Sequence, residues 1–292
     1  MKKQSNRIRT RYEWIGSALI HLLFILICIL MLYPFLHVIM GSFMKYQEYF
    51  DKYLFIWVDD PTLDAYRIVL EGGKFTQALK VTIGVAFFGT LISMSLTSVV
   101  AYGLSKSFPG QKLVMGMIVL TMFFSGGIIP QFIMFRQLGL LNNYLVYLLP
   151  SAIQTYNLII LRTHFQSFPQ ELEEAARIDG SSDFGIFFKI VLPLSVPMLV
   201  TIALFYAVAH WNVFFKSVFY ITKDEMRSLQ DYLNRIIKAE NAEDLGMYIS
   251  STVSLETVRM ANIVMSILPI VIVYPFLQKY FVKGTLVGAV KG

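Results

Sequence analysis

Six long stretches of the chain run without a single Lys, Arg, Asp or Glu, and everything polar is organised around them. They cover residues 15–43, 81–104, 113–135, 138–161, 191–215 and 261–277. A helix needs about 20 apolar residues to cross the hydrocarbon core of a bilayer, and each run is of that order. The fourth begins with the turn-forming pair Asn142-Asn143, so its membrane part is 144–161. The pattern predicts an all-α integral membrane protein with six transmembrane helices. Lys2, Lys3, Arg7, Arg9 and Arg11 precede the first run, as they would a secretory signal. A signal core is only about 7–15 residues long, whereas this run is far longer and passes into Tyr33-Pro34-Phe35. It reads as an anchor.

Composition agrees. Among 292 residues, 56% are hydrophobic and 15% charged, against about a quarter charged in soluble domains. One Cys excludes an internal disulfide framework. Six spans put both termini on one face. With the N-terminus inside, the inner segments carry 13 Lys and Arg and the outer ones 10. This modest excess and the dense N-terminal cluster favour N-in, C-in. The net charge of +6 is then a matter of topology, not of nucleic-acid binding.

The polar segments divide the work. Residues 1–14 form a cytoplasmic N-terminal segment, and 44–75 and 221–260 are outer loops. In the first loop, Asp59-Asp60-Pro61-Thr62 precedes a short amphipathic helix through Leu63, Tyr66, Ile68, Val69 and Leu70, ended by Gly72-Gly73. The inner segment at 163–190 differs from an ordinary loop. Pro169 stands near a helix start, and Glu171, Glu173 and Glu174 suit the positive end of the helix dipole. Gly180 is placed to end the helix at C′. A second short helix from Ser182 through Phe188 would complete an elbow, whose Ala175-Ala176 surface lets another backbone approach closely.

The elbow carries a motif. Glu174-Ala175-Ala176, three residues, Gly180, nine residues, Ile190, one residue, then Leu192-Pro193 resembles the EAA signature of permease subunits of binding-protein-dependent ABC importers. Seven fixed positions at fixed spacing are a specific signal. Glu171-Leu172-Glu173-Glu174, Ile178-Asp179-Gly180-Ser181 and Leu192-Pro193-Leu194 resemble the carbohydrate, maltose-transporter branch. So does the tail Val282-Lys283-Gly284 with Gly288-Ala289-Val290-Lys291-Gly292. Residues 274–281 resemble the lipoprotein- or aldouronate-type oligosaccharide permeases.

The resemblance implies a type I ABC importer transmembrane domain over 15–292, with a core at about 76–281. It implies that Glu171, Glu174, Ala175, Ala176, Asp179, Gly180, Ile190, Leu192 and Pro193 couple the permease to an ATPase. It further implies that the tail, with Gly284, Gly288, Lys291 and Gly292, reaches the ATPase interface. The implied partners are a second, non-identical permease, two ATPase subunits and an extracellular sugar-binding lipoprotein, in a bacterial cytoplasmic membrane. ATP and Mg would be bound on the ATPases. This chain has no Gly-x-x-x-x-Gly-Lys-Ser/Thr loop to cradle phosphate, no metal-ligand spacing among its four His and one Cys, and no nucleophilic constellation. It reads as a non-enzymatic subunit without a cofactor of its own.

Polar residues inside a membrane mark candidate pathways. Here they are Gln131, Gln154, Tyr156, Asn157, Trp211, Asn212 and Asn262, with Trp211 beside Asn212 suited to stacking on and hydrogen bonding to a sugar. Interhelical packing and interface belts use the same residue types. In the second outer loop, Asp231 and Arg235 lie on an amphipathic stretch that resembles the loop facing the binding protein. A polyamine or phosphate-ester importer shares the elbow and is the alternative within the class. A stand-alone secondary transporter would need midplane carboxylates for ion coupling, and the six runs have none.

Overall fold

The computed structural model describes residues 11–52, 55–239 and 253–289, with side chains described from residue 16 up to 273 within those ranges and at 275. All regular structure among them is helical. The Lys2, Lys3, Arg7 and Arg9 cluster, residues 240–252 of the second outer loop, and Lys291 and Gly292 lie outside the described residues.

The chain forms two compact units. The first comprises residues 1–71 and 240–265. It contains α1 (Arg11–Gly41), α2 (Tyr46–Asp51), α3 (Asp64–Glu71) and the start of α15 (Leu255–Ala289). From residue 18 to 32 every α1 side chain is exposed. Such a stripe-free apolar helix is stable only against lipid or another apolar chain. Its C-terminal end is fixed by a small cluster of Met44, Phe55 and Val58, with His37 stacked on Phe55 at 4.2 Å. The Ser42 and Tyr66 hydroxyls are 2.6 Å apart, and Thr62 Oγ1 accepts from the Asp64 N–H at the start of α3. The short amphipathic helix expected there is α3.

The second unit comprises residues 72–239 and 266–292. Its axis is α4 (Lys74–Ser105), the longest helix within the unit, packed against α8 (Thr155–Gln166) and α12 (Val196–Trp211). Gly73 at φ +67° starts it. At one end, Ala101, Tyr102 and Leu104 join Leu158, Leu161, Phe165, Ala176, Ile186, Phe187 and Val191 in a core. At the other, Val81 and Val85 pack with Phe135, Val146, Tyr147, Val213, Tyr220, Ile221 and Met226. Between the two cores α4 is pinned by polar contacts. Ser93 Oγ meets His210 Nε2 at 3.2 Å. Tyr206 Oη lies 2.6 Å from Thr97 Oγ1 and accepts from the Gln154 N–H at 3.0 Å.

Among the described residues, three helices are long and apolar enough to cross a membrane unaided: 16–41, 74–105 and 255–273. Two further candidates are bent pairs. The third run is α5 (Gln111–Phe123) and α6 (Ile128–Gln137), bent by 113°. The break is local chemistry: Ser125-Gly126-Gly127 carries no helix preference, and Gly127 adopts φ +84°. The fifth bends by 83° between residues 183–194 and α12. Pro193 and Pro197, which lack an N–H, flank the turn at Ser195. The fourth run is not one helix. α7 (Leu145–Leu148) gives way to a 3-10 turn at Leu149–Ser151, where Pro150 withholds an N–H, and α8 starts only at Thr155. Among the described residues, length and composition thus give three to five spans by themselves, against six charge-free runs in the sequence.

Candidate functional site

The elbow is built much as its residues dictate. Pro169, in extended backbone, precedes α9 (Gln170–Ile178), and Glu171 and Glu173 occupy its first turn. Asp179 is the C-cap. Gly180 follows at φ +82°. The Gly180 N–H donates to the Arg177 carbonyl at 3.0 Å and the Ser181 N–H to the Ala176 carbonyl at 2.9 Å. These two bonds make the Schellman closure of a helix end. A Cβ at Gly180 would meet nothing within 4 Å, so glycine is required there by backbone conformation and not by space.

Ser182 then caps α10 (Asp183–Ile186) by accepting from the Gly185 N–H at 3.2 Å. Arg177 Nη2 reaches Asp183 Oδ1 at 2.9 Å, tying the two short helices together. A π-helical turn at Phe187–Val191 and α11 (Leu192–Leu194) lead into α12. Glu171, Glu174, Ala175, Asp179 and Pro193 are exposed, Ile190 and Leu192 are half-buried, and Ala176 is buried in the adjoining core. The motif therefore splits: Ala176 seats the helix while its acidic neighbours and Ala175 face out.

Four residues beside the motif were not among the candidate site residues. Ile178 and Phe184 project 87% and 72% exposed from the elbow surface. Their signal was an aliphatic and an aromatic residue inside an otherwise acidic, polar turn. Glu173 pairs with Lys106, from the turn after α4, and Lys106 Nζ also lies 4.4 Å from the centre of the Tyr102 ring. Nothing in the spacing of positions 106 and 173 foretells that pair. Tyr102, Lys106, Glu173, Glu174, Arg177 and Asp183 border a cavity of about 620 Å³.

The polar residues expected along a pathway make the following local contacts. Gln154 Oε1 accepts from Asn157 Nδ2 at 3.3 Å, with Asn157 buried and Tyr156 exposed. Gln131 Oε1 accepts from the Tyr220 hydroxyl at 3.1 Å. Asn212 Nδ2 turns back to the Val208 carbonyl, and Trp211 Nε1 is buried without a hydrogen bond. Asn262 belongs to the first unit, where it donates to the Val258 carbonyl. Gly284 and Gly288 continue the backbone of α15.

α13 (Phe215–Tyr220) leads into the second outer loop, whose α14 (Leu229–Lys238) packs against the far end of α4. Asp231, expected at a contact surface, is 1% exposed. It accepts from Ser217 Oγ at 2.9 Å, Arg227 Nη1 at 2.8 Å and Arg235 Nε at 3.3 Å. Its carboxylate organises the loop; Arg235 keeps the exposed face. The Ser228 side chain donates to the Val213 carbonyl, and the Leu229 N–H donates to Thr82 Oγ1. Lys216 Nζ donates to the Tyr147 carbonyl at 2.9 Å. Asn142, at φ +53°, latches the short α6–α7 loop by accepting from the Thr222 and Lys223 N–H groups. No group of three potential metal ligands occurs among the described residues.

This chain is similar to known proteins. A Bacillus subtilis (strain 168) polygalacturonan/rhamnogalacturonan transport system permease protein, YtcP, is 43% identical over 93% of this chain and 95% of its own length. Protein LplC of the same strain is 42% identical over 89% of each. A crystal structure of a bacterial ABC transporter involved in the import of the acidic polysaccharide alginate contains a chain that superposes with a TM-score of 0.89. That chain is 34% identical, over 94% of this chain and all of the other. Residues 14–287 match the family described as the binding-protein-dependent transport system inner membrane component, and the chain belongs to that family.

Proposed function

We propose that this chain is one permease subunit of an ATP-driven importer that passes an oligosaccharide, delivered by an extracellular binding protein, across the cytoplasmic membrane by alternating access. The elbow carries the reading: the Glu174-Ala175-Ala176 anchors lie on a helix closed by Gly180; Ile190, Leu192 and Pro193 follow at the motif spacing; and Glu174, Ala175 and Asp179 are presented outward. Two ATPase subunits would receive it, bind ATP and Mg, and move it on closing; a rigid element joined to a two-state partner transmits such motion. Ile178 and Phe184 would add apolar anchors to that contact. Six spans with both termini inside place the elbow on the ATPase side, which the excess of inner Lys and Arg supports. The two bent pairs and the interrupted fourth run would then count as spans, because irregular backbone is tolerated at membrane depth where protein or a water-filled cavity covers it. A second, non-identical permease would cover α5 and α6, whose side chains, Phe135 apart, are not buried within this chain.

The substrate class follows the similar proteins, two of which handle pectic or alginate polysaccharides, polymers rich in uronic acid. The test is ATPase activity of the reconstituted importer with its binding protein. Oligogalacturonate should stimulate it more than a neutral maltooligosaccharide does. Stimulation by a polyamine and by neither sugar would replace the oligosaccharide reading with that of another solute.

A further inference from the structure

We propose that Lys106 is the residue through which the elbow moves α4, an inference that rests on the importer reading above. The turn after α4 is tied to three other elements at once. The Leu104 carbonyl accepts from Arg162 Nε of α8 and from Gln111 Nε2 of α5, both at 2.8 Å. The same Gln111 amide donates to the Lys106 carbonyl at 2.8 Å. Lys106 adds the third tie, to Glu173 of α9, while its ammonium sits over the Tyr102 ring. Tyr102 in turn packs against Phe187, the rings tilted by 30° with centroids 4.9 Å apart, and meets Phe165 edge-on.

Among the described residues the α9 side of this arrangement has one ion pair to α4, and it is the Lys106–Glu173 pair. Both side chains are largely covered, at 33% and 15% exposed, so the pair is less screened than an open surface bridge. The backbone bonds at Leu104 and Lys106 fix the height of the turn, and the ammonium fixes its distance from α9. A pull on α9 is therefore a pull on the helix that packs against both α8 and α12. Surface pairs add little to stability; what this one supplies is position. Lys106 is a positioning residue, acting through Glu173.

The test uses the whole importer in lipid nanodiscs and amide hydrogen exchange read by mass spectrometry, with and without trapping by Mg, ATP and vanadate. In the unaltered complex, trapping should change protection in both α9 and residues 99–106. In Lys106→Met the α9 change should remain and the change at 99–106 should be lost, with Lys106→Arg restoring it. Lys106→Glu should lose it as well, and adding Glu173→Lys should bring it back. Persistence of the response at 99–106 in Lys106→Met, or failure of the exchanged pair to restore it, would overturn the inference alone. Absence of any α9 response in the unaltered complex would overturn both the inference and the reading it rests on.

Discussion

Gly84 and Gly89 lie on the same helix, yet only one of them is spoken for by its surroundings. A Cβ at Gly89 would sit 2.7 Å from the His210 ring, whereas at Gly84 it would meet nothing within 4 Å. Gly89→Ala must push the ring away from Ser93, at about 1–3 kcal/mol, the usual cost of overpacking. Gly84→Ala should leave thermal stability in detergent unchanged or slightly raised. Equal melting midpoints for the two variants would refute the close packing of His210 on α4. Asp231 makes a second residue-scale contrast. Removing a carboxylate buried among Ser217, Arg227 and Arg235 leaves the Ser217 hydroxyl without its acceptor and Arg227 with only Asp224 and the Thr222 carbonyl, so Asp231→Ala should destabilise the unit by about 1–3 kcal/mol. Arg235→Ala, at an exposed site, should cost under about 1 kcal/mol. Denaturant titration of both variants checks the ratio.

Two carboxylates outside the membrane set the acid response. Arg227 Nε, 2.7 Å from Asp224 Oδ1, holds that carboxyl below its ordinary range despite partial burial. Burial pushes the Glu48 carboxyl up, but the Asp59 N–H at 2.8 Å and the Lys52 ammonium at 2.9 Å pull it down further. A carboxyl lowered by folding contributes stability above its unfolded value, near pH 4, and loses it as pH falls through the folded one. Local protection around α2 and at residues 222–231 should therefore fall on acidification below about pH 4. Unchanged protection there, after correction for intrinsic exchange, would rule out the ion pairs as the cause.

At the scale of elements, the clearest expectations came from local chemistry. Glutamates after Pro169, a glycine at C′ and a Ser before the next turn each require one backbone geometry, and α9, Gly180 and α10 adopt it. The breaks were harder to read. Absence of charge over a run says where lipid is tolerated, not where a helix is continuous. Gly126-Gly127, Pro150 and Pro193 were present in the runs, but a helix carries such residues when neighbours satisfy the freed backbone, so their effect depends on contacts distant in sequence. The same reason hid Lys106 and Glu173. For the elbow itself, a β-branched residue at the left-handed position costs roughly 1–2 kcal/mol of backbone strain. Gly180→Val should thus remain inserted in the membrane while transport driven by ATP falls. Full transport by this variant would remove the turn from the coupling path.

At the scale of the molecule, scarcity of charge and its location say most. Charge is missing from six runs, and the lipid-facing stretch of α1 is exposed throughout. The division into two units, with α15 beginning in one and ending in the other, leaves no mark in the hydropathy pattern, because it depends on which helices pack together. The central claim is that α9 docks on an ATPase, and site-specific photocrosslinking from position 175 in intact cells tests it most directly. A photoreactive residue at Ala175, which is exposed on α9, should yield an adduct with the ATP-hydrolysing subunit. The same probe at Asn142, beside the loop of Thr222, should not. A stable, membrane-inserted chain that gives no such adduct from position 175, or gives it equally from 142, would contradict the claim.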